Sequence, residues 1–349
     1  MKKHHLGAGL AIFAILAAVL FVVYRWRHSG FVWEKFAAVF SNVSWSWLLL
    51  AMVLILATYV GRALRWEVML RPLTNRVEMW RLFAATCIGF TAVVLFGRAG
   101  EPVRPYLIAR KEGVSFSSQI AAWLVERILD LLMVLLIFGI ALTQISRSGI
   151  QPGPRIQSAL EAAGVLAGIT GALSLALLLG LRYFRGSIRT RLLDALSFLP
   201  QVLHERIARF LHAFEEGMQS TQRQSYVWLL VAYTVLEWLV VAGSFFCVFR
   251  AFPETAGMRV TDVVIALGFM CFGSVLQIPG VGGGMQIATV LVLTEFYGVS
   301  LEAASGIALV VWIITFVVIV PLGLVLAFHE GIKWRSLRHI DESSSGYEL

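Results

Sequence analysis

Apolar residues in this chain fall into long blocks separated by short basic clusters, with little of the striping seen on a soluble core helix. Blocks of that length predict helices that cross a bilayer. Residues 6–24 are uncharged, follow a basic start and end at Arg25-Trp26-Arg27 rather than at a small-residue cleavage site. They read as an uncleaved first span. Residues 31–43, short and aromatic-rich, predict an interfacial segment before a second span at 45–61. Further spans are expected at 117–144, 162–181, 226–249 and 303–328, with a basic connection carrying Arg62, Arg65, Arg71, Arg76 and Arg81 after the second.

Two blocks fit a single crossing poorly. Residues 82–97 barely span a core of roughly 30 Å at about 1.5 Å per residue, and they run into GRAGEPVRP. Residues 263–294 form the longest uncharged stretch, too long for one span and too short for two. It is broken by Pro279-Gly280 and by Gly282-Gly283-Gly284. Both blocks read as re-entrant hairpins of interrupted helix. Gly89-Phe90 and Gly268-Phe269 sit similarly ahead of the two breaks and hint at an internal repeat. The expected fold is therefore an all-α polytopic membrane helical bundle of about six full spans plus two re-entrant helical hairpins. Residues 1–335 form one transmembrane domain, and residues 336–349 are a polar tail expected to be disordered.

Composition agrees, since 58% hydrophobic against 14% charged residues is far from a soluble domain. The net charge of +8 raises nucleic acid as a partner, but Lys and Arg sit at the ends of apolar blocks, where lipid phosphates are their neighbours. No nucleic-acid partner is expected. With both interrupted blocks re-entrant, the excess of Lys and Arg on one side is larger than if every block crossed. This favours cytoplasmic N- and C-termini in a multi-pass protein of the bacterial cytoplasmic membrane. Cys87, Cys247 and Cys271 lie within apolar segments and match no disulfide or metal spacing; the histidines form no HxxxH or HExxH pair. Neither metal nor cofactor is expected.

The connection at 182–223 has its own stripe, Leu192, Leu196, Leu199, Leu203, Ile207, Phe210 and Phe214, which Pro200 divides into two helices. It reads either as an interfacial helix with Arg189, Arg191, Arg206 and Arg209 at the headgroups, or as a helix packed on the protein's own surface.

Candidate chemistry concentrates between Gly97 and Asp130. Arg98, Glu101 and Arg104 follow the first break, and Glu126, Arg127 and Asp130 then appear within an apolar helix. Charges at that depth face a cavity, a partner or a pathway. Glu126 and Asp130, four apart, share a helix face, and Arg127 lies about 100° away. The arginines suit a lipid phosphate; the alternative is an internal ion pair that fixes packing, with Glu101 or Glu237 as partners. Glu237 stands alone in mid-span. Pro279, Gly280, Gly282, Gly283, Gly284 and Gln286 at the second break either present backbone N–H groups to an anion or allow close helix packing.

GRAGEPVRPYLIARKEG followed by AAWLVERILDLL, with IPGVGGGMQ further on, resembles the flippase-like transmembrane family. This is the family of the N-terminal membrane domain of bacterial lysylphosphatidylglycerol synthases. In two-domain members that part is associated with moving aminoacylated phosphatidylglycerol to the outer leaflet, and a separate cytosolic domain transfers the amino acid. Here the chain stops soon after its last span, so the resemblance implies a stand-alone translocase-like module without the transferase. One departure is Gln286, where the family often has Glu, which puts a charge or proton role there in doubt. The implied partner is an anionic phospholipid or a polyisoprenoid- or hopanoid-type lipid. A membrane enzyme acting on a lipid headgroup through Glu101 or Glu126 remains open. So does a homo-oligomer or a non-catalytic partner of an envelope-biosynthesis pathway. No Asp-rich metal motif or Ser/His pair favours the enzyme.

Overall fold

In the computed structural model, the described residues are 31–74, 76–148, 154–182, 194–195, 201–217, 223–274, 277–278 and 282–331. The expected first span at 6–24, the tail at 336–349, and Pro279 and Gly280 lie outside them. The helices in chain order are α1 Trp33–Ala38, α2 Trp45–Leu70, α3 Met79–Phe96, α4 Val103–Glu112, α5 Phe116–Ser148 and α6 Pro154–Arg182. They continue as α7 Gln201–Gly217, α8 Gln224–Ala251, α9 Val260–Gly273, α10 Gly284–Glu295, α11 Leu301–Trp312 and α12 Ile319–His329. The protein is an all-helical membrane bundle. The strands described are two residues long, Gln277–Ile278 paired antiparallel with Gly282–Gly283 at the second break.

Five of the expected full spans are present as α2, α5, α6, α8 and the α11–α12 pair. The second span is longer than its apolar run, since α2 continues nine residues past Gly61 to Leu70. Arg62 and Arg65 therefore belong to the helix, not to a basic connection. Trp66, Val68, Met69 and Leu70 carry its buried face onward. The last span is also not one regular helix: a π-helical turn at Ile313–Val317 separates α11 from α12.

Residues 79–112 form a helical hairpin. α3 rises, a 3-10 turn at Gly97–Gly100 reverses the chain, and α4 returns against α3. Gly89 sits against the Arg104 backbone and Gly100 against that of Ala92, so the arms meet with no side chain between them. Arg81 Nη1 donates to the Lys111 carbonyl at 3.3 Å, which places the hairpin's two ends together. The leading arm, with its turn, is long and apolar enough to cross a membrane alone, so it is more than the marginal segment its uncharged core suggested. The ten-residue return arm is not.

α9 and α10 form the second hairpin. Gly273 lies on the Gly284 backbone near the tip, and Tyr297 Oη donates to the Asp262 carbonyl at 3.3 Å near the open end.

α2 and α8 run antiparallel through the centre. The Ser44 amide donates to the Ala251 carbonyl at 2.9 Å, and Ser244 Oγ donates to the Ala51 carbonyl at 2.9 Å. The first hairpin follows α2 and packs on α12, with Gly323 seated against Thr91 and the Cys87 carbonyl. The second follows α8 and packs on α5, with Gly268 against Phe138 and Ala141. Each hairpin thus leans on the helix that follows the other, and the two enter from opposite faces. That is the arrangement of an inverted repeat. The expected repeat is present in the packing, although side chains give it only one faint pair of dipeptides.

α6 lies at the margin, with most of its leucines outward. α7 packs across the start of α5, where Gly217 abuts the Ser118 carbonyl and Phe214 joins the core around α2 and α3. Its inner edge is therefore protein-packed, while Leu203 and Phe210 remain exposed. Leu192, Leu196, Leu199 and Pro200 lie outside the described residues.

Candidate functional site

Among the described residues, α2, α4, α5 and α8 bring seven charged side chains into one network. Arg65, with no exposed surface, is its centre: Nη2 lies 2.7 Å from Glu126 Oε1, and Nη1 lies 2.7 Å from Asp130 Oδ1 and 3.3 Å from Glu237 Oε2. It also donates to Thr234 Oγ1 at 3.2 Å. Arg62, three residues earlier on the same helix face, reaches Glu237 Oε1 at 2.7 Å. Arg104, brought in by the return arm of the first hairpin, donates to both Glu126 oxygens at 2.9 and 3.0 Å. Its guanidinium lies 4.0 Å from the centre of the Trp66 ring, a cation–π contact. Trp66 is held by Nε1 donating to Gln119 Oε1 at 2.8 Å. Arg127 Nη2 completes the set, 3.1 Å from Asp130 Oδ2 and 3.4 Å from Glu126 Oε1.

The network has a dry layer and a wet layer. Arg65, Glu126, Glu237 and Arg104 have side chains at most 5% exposed. Asp130, Arg62 and Arg127 are 13%, 17% and 36% exposed. The wet layer lines a partly open cleft of about 520 Å³. Arg98 and Glu101 from the first hairpin's tip contribute to its wall, and Cys271, Ser274 and Met285 contribute from the second hairpin. The two hairpins thus face each other across one cleft, with charged residues on the first and mainly apolar ones on the second.

Burying ions costs several kcal/mol each unless partners replace the lost water. Here every carboxylate in the network meets at least two guanidiniums. The internal ion pairing considered for these charges is therefore present in the dry layer. It does not account for the wet layer, whose members are incompletely enclosed.

Among the anticipated residues, Arg98, Glu101, Arg104, Arg127 and Asp130 line the cleft, and Glu126 and Glu237 stand behind it. Gln286 Oε1 accepts from the Gly283 amide at 2.7 Å and so caps the start of α10. Gly282 and Gly283 form the short bridge, Gly283 with φ 143°, and Gly284 opens α10. The Gly284 backbone lies against Gly273, and the Gly283 amide, a candidate anion donor, is already taken by Gln286.

Arg62 and Arg65 escaped sequence reading because they follow the apolar run directly. Two features marked them: their three-residue spacing, and the presence of three carboxylates, Glu126, Asp130 and Glu237, beside the single intrahelical cation Arg127.

Residues 7–323 match the family of the lysylphosphatidylglycerol synthase TM region. The chain belongs to that family. It is also 27% identical over 293 residues to a "UPF0104 membrane protein" of Methanothermobacter thermautotrophicus, covering 80% of this chain and 83% of that protein. No solved structure matches it significantly. Family membership agrees with a multi-pass integral membrane protein, and it leaves the chemistry of the cleft to be argued from its geometry.

Proposed function

We propose that the protein is a translocase for an anionic lipid or lipid-linked headgroup. One observation carries this reading: a cationic cleft lies where two oppositely inserted hairpins meet, beside a dry ion network that keeps it charged. A headgroup crossing a bilayer needs a polar stopover shielded from acyl chains, and interrupted helices meeting at depth supply one. Arg127, Arg62 and Arg98 offer guanidinium donors to a phosphate, while the inner carboxylates hold the arginines in place when no lipid is present.

The candidate substrates are anionic phospholipids and polyisoprenoid- or hopanoid-type lipids. Positive charge supports an orientation with the hairpin ends at Arg81 and Lys111 in the cytoplasm of a bacterial cell. Removing Arg62, Arg65, Arg98 and Arg104 from the loop count leaves that bias in the same direction. Purified protein in liposomes should accelerate leaflet exchange of a fluorescent anionic lipid, with Arg127→Ala reducing the rate to that of empty vesicles. No acceleration across a panel of anionic lipids would overturn the proposal.

A further inference from the structure

The last span passes between two apolar cores, and it changes helix type where it does so. Val310, Val311 and Ile314 pack in one core with Met285, Val292 and Leu293 of α10. Ile319, Leu326 and Ala327 pack in the other with Ala84, Cys87 and Ile88 of α3. α11 is therefore fastened to the second hairpin and α12 to the first. Two polar contacts strengthen the attachment of α12. Thr91 Oγ1 donates to the Ile319 carbonyl at 3.4 Å, and Lys111 at the end of the return arm pairs with Glu330 just past α12.

The change of helix type falls at Ile313–Val317 for a physical reason. Pro321 has no N–H to give the Val317 carbonyl, and its ring crowds that same carbonyl, so a regular ladder cannot run through this point. Just upstream the chain takes a wider turn, in which the Val318 amide donates to the Ile313 carbonyl, five residues back, at 3.0 Å. Thr315 Oγ1 donates to the Val311 carbonyl at 2.7 Å, a side-chain bond of the kind that bends helices. π turns and prolines are where long helices kink, and π turns are frequent at functional sites. Pro321 itself is exposed, so core packing does not require it. α2 and α8 also pass between the cores, with Ile55 and Phe245 in one and Tyr59 and Leu230 in the other. Both stay regular helices throughout.

The position of the turn ties it to the cleft, because Trp312, Thr315 and Phe316 line that cavity. We propose that Ile313–Val317 is a hinge about which the first hairpin with α12 swings against the second hairpin with α11, opening and closing the cleft between them. α2 and α8 are the fixed frame. Each hairpin keeps its own segment of the last span as it moves, so the swing requires sliding along the frame and no loss of packing within either hairpin. The hinge belongs to the fold and does not depend on which ligand the cleft takes.

The test uses full-length protein in liposomes carrying Cys87→Ala, Cys247→Ala and Cys271→Ala, with spin labels on single cysteines at exposed positions. Val325 on α12 paired with Trp228 on α8 reports the swing, and Val53 on α2 paired with Trp228 reports the frame. Double electron–electron resonance should give two distance populations for the first pair and one narrow population for the second. Pro321→Ala, which restores the missing donor at an exposed position, should merge the two populations into one. Amide exchange read by mass spectrometry is a second measurement, on unlabelled protein. Amides 314–320 should exchange faster than amides 54–60 of α2, and Pro321→Ala should slow them by about 5-fold, as one regained backbone hydrogen bond implies.

A single population for Val325 with Trp228, two populations that Pro321→Ala leaves unchanged, or exchange at 314–320 no faster than in α2 would each overturn the hinge. Leaflet exchange that persists while this distance stays single-valued sinks the hinge alone. Two populations without leaflet exchange of any anionic lipid sink the translocase reading alone.

Discussion

Replacing Arg65 separates what holds this bundle together from what it does. Arg65→Met keeps the length and removes the charge, stranding Glu126, Asp130 and Glu237, which it contacts at 2.7, 2.7 and 3.3 Å. At an effective dielectric of about 20, two unit charges about 4 Å apart interact with roughly 4 kcal/mol. Arg62, Arg104 and Arg127 remain and compensate in part, so the net loss should fall at about 3–5 kcal/mol, the range for removing one member of a buried pair. That corresponds to a fall of about 5–15 °C in thermal midpoint, read by fluorescence of purified protein in detergent. Arg127→Ala should behave oppositely. Its side chain is 36% exposed and its pairs are 3.1 and 3.4 Å long, so its stability cost should stay below about 1 kcal/mol while leaflet exchange is lost. Adding Asp130→Asn to Arg65→Met should recover part of the lost stability, because one of the three stranded charges is then gone. If Arg65→Met is as stable as wild type and Arg127→Ala is the variant that unfolds, the division into a structural and a working layer is wrong.

Other consequences follow from the packing. Gly89→Val places two methyl groups into the Arg104 backbone and should abolish accumulation of folded protein, whereas Gly139→Ala, with open space around it, should be neutral; detergent-solubilised yield distinguishes them. Gly323→Ala should lower the thermal midpoint by separating α12 from Thr91 on the first hairpin. Gln286→Ala should cost about 1 kcal/mol through the lost cap, and Gln286→Glu, which keeps the acceptor, should cost less; the two midpoints measure the difference. Single cysteines at Gly113 and Gly298 should react with an impermeant maleimide from opposite faces of the membrane, and labelling from one face would refute the inverted arrangement.

Five of the spans and the two interruptions were readable because they depend on run length and on Gly and Pro, which are local properties. The ends of spans were less readable. Arg62 sits one residue past an apolar run, and sequence pattern alone treats such a charge as a boundary. In the fold it stays inside because Glu237 on α8 waits at the same depth, and that partner is 175 positions away. The seven-residue network is likewise a tertiary fact: Glu126 and Asp130 share a face by spacing, but only the hairpin reversal carries Arg104 back to Glu126. The role of Gln286 was hidden for the opposite reason, being so local that it depends on the geometry of Gly283 rather than on any neighbour in the pattern.

The fold is nearly two-fold, yet its chemistry is not. The half containing α2 to α5 supplies six of the seven charges in the network and both charged residues at the rim, while the second half contributes Glu237, with Thr234 beside it. The second hairpin instead closes against α5 through Phe138, Phe269 and Phe272. A symmetric backbone with one-sided polarity gives two hairpins that can enter from opposite faces and still not present the same surface to a ligand. Among the described residues, the first offers guanidiniums and the second apolar side chains with Ser274. On the translocase reading proposed above, a lipid between them would meet its headgroup requirement on one side and its chain requirement on the other. Within an inverted repeat, that asymmetry makes the two walls of the cleft chemically unequal, one guanidinium-lined and the other apolar.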